Sequence, residues 1–147
     1  MKKILVSACL LGVGCRYDGK SKPEDGVIAL NEKYALVPVC PEILGGLPTP
    51  RIPCEIKDGR VINRNGEDKT AEYTRGALEV LRIARLLGCD TAVLKKKSPS
   101  CGAGEIYDGS FSGKTVLGDG VCAKLLKENG ITVLNETEIK NISDGVL

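Results

Sequence analysis

Short apolar runs alternate with longer amphipathic stretches along the chain, which is the pattern of strands connected by helices. Four apolar runs predict buried strands, and these are residues 4–8, Ala35–Val39, Thr91–Leu94 and residues 131–134. Two stretches carry apolar residues at helical spacing, Thr70–Leu87 and residues 118–129, and a glycine suited to end a helix follows each of them. Strands and helices therefore alternate through most of the chain.

The segments between these elements give weaker signals. Residues 22–34 predict a weak helix. Residues 40–54 contain four prolines and two adjacent glycines, which predicts a stiff loop with a flexible centre. Residues 55–62 predict a hairpin that turns at Asp58-Gly59.

The alternation predicts an α/β fold: a small, doubly wound, mostly parallel sheet of the Rossmann or flavodoxin-like type, with helices on both faces. The chain has 147 residues, a length that suits a single domain spanning residues 1–147. Aromatic residues make up only 3% and tryptophan is absent, so Val, Ile, Leu and Ala must fill the core. Such a core agrees with helices packed on a parallel sheet.

Three cysteines occupy equivalent positions relative to the predicted strands. Cys9, Cys40 and Cys101 each lie at or shortly after the C-terminal end of a strand. In open parallel sheets, this is the edge that binds ligands. We therefore expect the three thiols to converge on one reactive site at the rim of the sheet.

Composition narrows the chemistry of such a site. The chain has seven cysteines and no histidine, which excludes Cys/His zinc sites, Ser/His triads and Cys/His dyads. The apolar run before Cys9 is shorter than the ~7–15 residues of a signal peptide, and no run approaches the ~20 residues of a membrane span. We therefore expect a cytoplasmic protein without a membrane partner, in which structural disulfides are disfavoured. The net charge of +2 gives no indication of non-specific binding to nucleic acid.

The three cysteines admit a metal-binding interpretation and a purely structural one. Thiolates select zinc or iron–sulfur clusters, and three protein ligands on a four-site centre leave one position open for chemistry. The chain has no C-x-x-C pair to strengthen this interpretation. The thiols therefore also fit a role as small buried hydrophobic residues.

The segment from Cys9 to Arg16 indicates a second enzyme class. A cysteine that follows a strand, in a loop that closes on an arginine, is typical of low-molecular-weight phosphatases and arsenate reductases. Six residues separate Cys9 from Arg16, where that loop has five. The following Tyr17-Asp18-Gly19 predicts a turn and not the helix start that lowers a thiol pKa. A nucleophilic Cys9 is therefore the runner-up.

Other polar residues lie near the expected site. Glu42 follows a candidate ligand by two positions, where a carboxylate is well placed for proton transfer. Ser98 or Ser100 either donates a hydrogen bond into the site or shapes a turn, and the lysines at 95–97 attract anionic substrates. Residues 109–115 resemble a Walker A loop but are one residue short between the glycines, so we interpret them as an ordered loop over the site.

Five ordered strings resemble a bacterial and archaeal family, the TudS-like 2-thiouracil desulfidases, which was formerly a domain of unknown function. The strings are residues 6–12 (VSACLLG), 15–20 (CRYDGK), 39–51 (VCPEILGGLPTPR), 94–102 (LKKKSPSCG) and 106–113 (IYDGSFSG). They span most of the chain in the right order. Together they are far more specific than any single motif.

The resemblance implies an iron–sulfur enzyme. It implies a 4Fe–4S cluster held by Cys9, Cys40 and Cys101, and non-redox removal of sulfur from a thiolated pyrimidine such as 2-thiouracil, with release of hydrosulfide. The family's acid–base glutamate falls on Glu42, and its active-site serine falls on Ser98.

Two positions depart from the family pattern. Gly14 stands where many relatives have Asn, and Cys54 stands where the loop usually has a residue without a thiol. Cys54 introduces the possibility of a different fourth ligand, which would close the site. We expect Cys89 and Cys122 to be core thiols, and Cys15 to lie near the site without an assigned role.

Three classes of function stay open. They are an iron–sulfur desulfidase, a thiol enzyme of the phosphatase or arsenate-reductase type using Cys9, and a non-catalytic metal- or cluster-binding module. For the desulfidase we expect a small thiolated pyrimidine as substrate. A thionucleoside in tRNA is the less favoured alternative, because the chain is nearly neutral.

Overall fold

The computed structural model describes residues 1–143, which form a four-stranded sheet, two hairpins and five helices. In chain order the elements are β1 (Lys3–Ser7), α1 (Asp25–Ala29), β2 (Ala35–Val39), α2 (Pro41–Leu44), β3 (Cys54–Lys57), β4 (Arg60–Asn63), α3 (Thr70–Leu87), β5 (Thr91–Leu94), β6 (Glu105–Tyr107), β7 (Thr115–Leu117), α4 (Val121–Glu128), β8 (Thr132–Asn135) and α5 (Lys140–Ser143). Short 3₁₀ turns follow β1 and α1, at Ala8–Leu11 and Leu30–Glu32. Within residues 1–143, every helix is too short or too polar to cross a membrane.

The central sheet is parallel, with strand order β2-β1-β5-β8. Ser7 pairs with Val39 and Val6 pairs with Val93, so β1, β2 and β5 end at the same edge. The chain first adds a strand on one side of β1 and then continues on the other side. The boundary between β1 and β5 is therefore the switch point at which open α/β sheets bind ligands. This order confirms the predicted mostly parallel α/β sheet.

Both faces of the sheet are covered. Alternate residues of a strand point to opposite faces, and Leu5, Ala92 and Leu94 pack with α3 and α4 in one buried cluster. The other face carries a second cluster, which contains Ile4, Val6, Val93, Val27 of α1 and Ile142 of α5. Helices on both faces are thus confirmed, and the core is aliphatic as the composition predicts.

The strongest sequence patterns match their elements closely. α3 has the predicted bounds, and Gly88 ends it in the left-handed conformation, with φ 71°. β2 and β5 also have the predicted bounds. The hairpin of β3 and β4 turns at Asp58-Gly59, where both residues have positive φ, as a type I′ turn requires.

The helix predicted for residues 22–34 is much shorter than expected. It comprises only α1 and the 3₁₀ turn that follows it. The amide of Lys22 donates to the carbonyl of Cys9 at 2.9 Å, and the amide of Glu24 donates to the carbonyl of Leu10 at 3.0 Å. The segment before α1 is therefore tied to the turn after β1 and is not helical.

The loop predicted for residues 40–54 contains the short helix α2, so the prediction is wrong for Pro41–Leu44 and confirmed for residues 45–53. Pro41 occupies the first helical turn, where the missing N–H has no helical partner to lose. A Cβ added at Gly45 would overlap the carbonyl of Glu72, and one added at Gly76 would overlap the carbonyl of Pro41. Two glycines thus let α2 pack backbone to backbone against α3.

The hairpin of β6 and β7 has no counterpart among the predicted elements, and neither does α5. All three residues of β7 are exposed, so this strand lacks the alternation of buried and exposed residues that reveals a strand. The connection between β6 and β7, residues 108–114, contains most of the segment that resembles a Walker A loop. Its ends are joined by a hydrogen bond of 3.0 Å from the Asp108 amide to the Lys114 carbonyl.

Gly76→Ala should destabilise the protein, although alanine is the better helix former. Propensity alone favours alanine inside a helix by about 1 kcal/mol, but the new methyl group overlaps the Pro41 carbonyl, and overpacking typically costs about 1–3 kcal/mol. We expect a lower urea midpoint with an unchanged m-value. Thr74→Ala, at an exposed position of α3, is the control and should not lower the midpoint. A raised midpoint for Gly76→Ala would contradict the close packing of α2 on α3.

Candidate active site

A cavity of about 460 Å³ opens at the C-terminal edge of the sheet, at the switch point between β1 and β5. Its lining includes Cys9, Cys40 and Cys101, together with Glu42 and Ser98. The structure thus brings together the five site residues named from the sequence.

The three cysteines come from different local structures. Cys9 lies in the 3₁₀ turn after β1, Cys40 is the extended residue before α2, and Cys101 lies in the loop after β5. Cys9 and Cys101 are buried and Cys40 is half-buried. They reach the cavity from opposite faces, since Cys9 belongs to one core cluster and Cys101 to the other.

The N-terminus of α4 fixes the loop that carries Cys101. The Val121 amide donates to the carbonyl of Pro99 at 2.8 Å, and the Cys122 amide donates to the carbonyl of Ser100 at 2.9 Å. These donors would otherwise be unpaired, because the first amides of a helix have no intrahelical partner. The helix is therefore capped by the loop, and the loop is held by the helix.

Burial and contact with a neighbouring thiol raise the pKa of Cys40 and Cys101. Burial raises the pKa of Cys101 to about 12, against the opposing hydrogen bonds of Ser7 and Ser100. A contact with the Cys15 thiol, followed by burial, raises the pKa of Cys40 well above its ordinary range. Ligating thiols must lose their protons, so binding of a cationic centre here would release protons.

The donor set fits an iron–sulfur cluster. Its donors are soft thiols, which hold such clusters. Within residues 1–143, no three Cys, Asp or Glu side chains are arranged to hold a single metal ion. In a polynuclear cluster each cysteine binds a different iron, so the ligands need to surround the cavity and not to meet at one point.

The other four cysteines divide into two pairs. Cys15 and Cys54 line the cavity, Cys15 in contact with the neighbouring thiols and Cys54 on β3. Cys89 and Cys122 lie in the core between the sheet and its helices, as the sequence analysis predicts. All seven cysteines are free thiols.

Glu42 accepts hydrogen bonds on both oxygens of its carboxylate. Oε1 accepts from Arg51 Nε and from the Tyr73 hydroxyl, each at 2.9 Å. Oε2 accepts from Ser100 Oγ at 2.8 Å and makes a longer contact of 3.4 Å with Ser98 Oγ. Donors from three segments outside α2 therefore fix the carboxylate within the cavity.

Ser98 and Ser100 act as a pair. Their hydroxyl oxygens lie 2.9 Å apart, and Ser100 Oγ also lies 3.7 Å from Cys101 Sγ. Ser98 Oγ accepts the amides of Ser100 and Cys101, each at 3.1 Å. Both interpretations offered by the sequence thus apply to Ser98, because it shapes the turn and contacts Glu42. The shorter contact with Glu42 belongs to Ser100.

Sequence reasoning did not single out Arg51 or Tyr73 as site residues. Arg51 is almost fully buried, with 5% of its side chain exposed, and its Nη2 donates to the Cys15 carbonyl at 2.8 Å. The string 39–51, one of the five that resemble the family, ends at Arg51 and is the signal that could have marked it. Tyr73 carries no such signal, since it lies on the buried face of α3 like any core residue.

The phosphate-loop alternative for Cys9 lacks its anion cradle. The amides of Gly12, Val13 and Arg16 all donate to backbone carbonyls and are not free to bind an oxyanion. The next helix, α1, begins at Asp25 and not at the end of this loop. The structure therefore gives no support to a phosphatase-like Cys9.

The three lysines at 95–97 line the cavity, but ion pairs offset part of their charge. Lys95 Nζ lies 3.3 Å from Glu136 Oε2, and both side chains are largely buried. Lys97 Nζ lies 3.9 Å from Glu105 Oε1 in a more exposed pair. The mouth of the cavity is therefore less positive than the lysine run alone indicates.

Comparisons with known proteins agree over nearly the whole chain. The sequence profile of the 2-thiouracil desulfurase family matches residues 4–138. The uncharacterized protein YbbK of Bacillus subtilis (strain 168) is 42% identical over 149 residues, which cover 95% of this chain and 99% of that protein. A solved structure of a 4Fe–4S-dependent thiouracil desulfidase, TudS, superposes with a TM-score of 0.93 at 42% identity and covers 99% of this chain and 98% of its own.

Arg51→Met should destabilise the protein by about 3–5 kcal/mol, because removing one partner of a buried pair leaves the other charge uncompensated. Arg51→Lys should recover only part of this loss, since an ammonium does not reproduce the guanidinium fork. Urea unfolding followed by circular dichroism measures both. Arg60→Met breaks an exposed pair with Asp68 and is the control, with a nearly unchanged midpoint. Equal midpoints for the two methionine variants would argue against the buried pair as a stabilising contact.

Proposed function

The chain belongs to the 2-thiouracil desulfurase family, and from this premise we propose that it removes sulfur from thiouracil by non-redox hydrolysis. One water is consumed, the C=S bond is replaced by C=O, and the sulfur leaves as hydrosulfide, so no electron acceptor or donor is needed. The proposal treats residues 1–147 as one desulfidase-like iron–sulfur domain. It is supported by TudS, a 4Fe–4S-dependent thiouracil desulfidase of closely similar structure.

In this proposal, Cys9, Cys40 and Cys101 hold a 4Fe–4S cluster. When bound, the cluster supplies an iron without a cysteine ligand, which acts as a Lewis acid on the thiocarbonyl group. The supporting observation is that the three thiols line a single cavity, where α2 and α4 fix the segments next to Cys40 and Cys101. Cys15 and Cys54 line the same cavity but stay outside the proposed ligand set.

The clamped carboxylate of Glu42 is the observation that carries the proposed mechanism. Arg51 and Tyr73 occupy Oε1, so Oε2 is the oxygen that takes a proton from the attacking water. Oε2 also contacts the linked hydroxyls of Ser100 and Ser98, which can rotate to accept or donate. These hydroxyls relay the proton toward the departing sulfur, and the rigid clamp keeps the carboxylate in place while they do so.

We propose a free thiolated pyrimidine as the substrate. A cavity of about 460 Å³ falls within the range of about 300–1,000 Å³ that is typical of small-molecule sites. A thionucleoside in tRNA remains the alternative, and turnover of 2-thiouracil compared with thiolated tRNA distinguishes the two. We also propose a cytoplasmic location, since seven free thiols suit a reducing compartment.

Cys9→Ser, Cys40→Ser and Cys101→Ser should each lose most of the bound iron, because each removes one proposed ligand. Iron and acid-labile sulfide per chain, measured after anaerobic reconstitution, are the readouts. Cys89→Ser changes a buried core thiol and should keep the wild-type content. Loss of iron in Cys54→Ser would instead identify a fourth ligand. Full iron content in any of the first three variants would remove that cysteine from the ligand set.

Glu42→Gln should retain the cluster and lose turnover by about 10²-fold or more, the usual contribution of a general acid–base group. The amide preserves the shape of the side chain and an acceptor for Arg51, but it does not take up a proton. Hydrosulfide release from 2-thiouracil, normalised to iron content, is the measurement. Glu32→Gln, at an exposed position, is the matched control. Wild-type turnover in Glu42→Gln would exclude Glu42 from proton transfer.

A further inference from the structure

Aromatic residues are rare in this chain, yet they cluster at the cavity. The chain has four tyrosines, one phenylalanine and no tryptophan. The cavity is lined by four of these five residues, namely Tyr17, Tyr73, Tyr107 and Phe111. Tyr73 is committed to Glu42 through its hydroxyl. Phe111 has no polar group, so its contribution to the cavity is the face and edge of its ring.

Phe111 is held in an unfavourable backbone conformation. Its φ of 56° lies in the left-handed region, which bulky side chains rarely adopt. Such a conformation persists only where the surrounding structure enforces it, and it is concentrated at functional sites. The loop between β6 and β7 therefore presents this ring at a backbone cost.

Glu55 makes the contacts that hold Phe111 in this conformation. Its Oε1 accepts the amide of Gly109 at 3.0 Å and the amide of Phe111 at 3.1 Å. Glu55 is 9% exposed and forms no ion pair within residues 1–143. A Cβ at Gly109 would lie 2.8 Å from the Ile56 carbonyl, so the loop packs directly on β3. A buried carboxylate is thus used to hold the backbone of one loop.

Arg64 adds a second contact to the ring. Its guanidinium carbon lies 5.5 Å from the centroid of Phe111, within the range of cation–π interactions. Arg64 also lines the cavity. The ring of Phe111 is therefore fixed by its backbone through Glu55 and by its side chain through Arg64.

We propose that Phe111 is the stacking platform for the pyrimidine ring of the substrate, and that Glu55 is a positioning residue that holds this platform in place. The inference rests on the proposed function and assigns the residue that recognises the flat face of the ring. Base–aromatic stacking requires only a π-face and tolerates variation at the edges of the base. In this proposal Phe111 binds the face of the ring, whereas the thiols and the carboxylate of Glu42 serve the reaction at the C=S group.

The test compares Phe111→Leu, Phe111→Gly and Phe111→Tyr in the cluster-loaded enzyme. Leucine keeps an apolar side chain without a π-face, and glycine accepts the left-handed backbone without strain. For both, we expect the KM for 2-thiouracil to rise about tenfold, with kcat within about threefold of wild type. Tyrosine keeps an aromatic face, so the KM of Phe111→Tyr should be close to that of wild type. Val116→Ala, on the exposed strand β7, is the control and should match wild type.

Inhibition by uracil measures binding of the ring without the removal of sulfur. Uracil has the same ring without the thiocarbonyl, so its inhibition constant should rise by the same factor as the KM in Phe111→Leu and Phe111→Gly. Glu55→Leu removes the acceptor for both amides and should reproduce the higher KM, whereas Glu55→Gln keeps an acceptor oxygen and should stay near wild type. Iron content should be unchanged in every variant.

Three results would overturn the inference. The first is a KM and a uracil inhibition constant within about twofold of wild type in Phe111→Leu. The second is a wild-type KM in Phe111→Gly together with a raised KM in Phe111→Leu, which would trace the effect to backbone strain and not to the ring. The third is a fall in kcat or iron content at unchanged KM. A cluster-loaded wild type that releases no hydrosulfide from 2-thiouracil would instead overturn the proposed function, and this inference with it.

Discussion

The largely buried carboxylate of Glu42 ties together the edge of the sheet. Glu42 lies on α2, and its donors Arg51, Tyr73 and Ser100 come from the following loop, from α3 and from the loop after β5. Removing a carboxylate from water costs several kcal/mol unless the charge is paired and its oxygens are hydrogen-bonded. Each of these segments must therefore keep its place for the charge to remain buried. Because these residues also line the cavity, the same contacts hold its walls in place.

Two kinds of structure build this cavity, and they make different contributions. The parallel sheet and the helices packed on it present the thiols, with the contact between Gly45 and Gly76 setting α2 against α3. The two antiparallel hairpins lie outside this sheet, and they meet where Glu55 holds the loop of Phe111. The proposed cluster ligands thus belong to the sheet, its helices and the loops at its edge, whereas the proposed recognition of the ring belongs to the hairpins.

The sequence by itself determined the elements whose signals are local. α3 was predicted to the residue, because its apolar period runs through 18 residues and Gly88 supplies the left-handed end. The placement of Cys9, Cys40 and Cys101 at one edge also followed from the sequence, since strands of a parallel sheet all end on the same side. Position along the chain also marked Glu42 and Ser98, and the fold brings both to the same cavity. The family resemblance assigned their catalytic roles, which stay a prediction.

Tertiary structure alone decided which partners these residues have. Tyr73 is 31 positions from Glu42, and Ser100 is 58 positions from it, so no local pattern relates them. The contact of α2 with α3 depends on the absence of side chains at Gly45 and Gly76. From the sequence alone, a glycine that allows a turn cannot be distinguished from one that allows close packing. The exposed strand β7 has no apolar period, and the loop of Phe111 is held by Glu55, 56 positions away, so no local pattern reveals either of them. Apolar periodicity indicates which face of an element is buried, but only the folded chain determines which residues that face contacts.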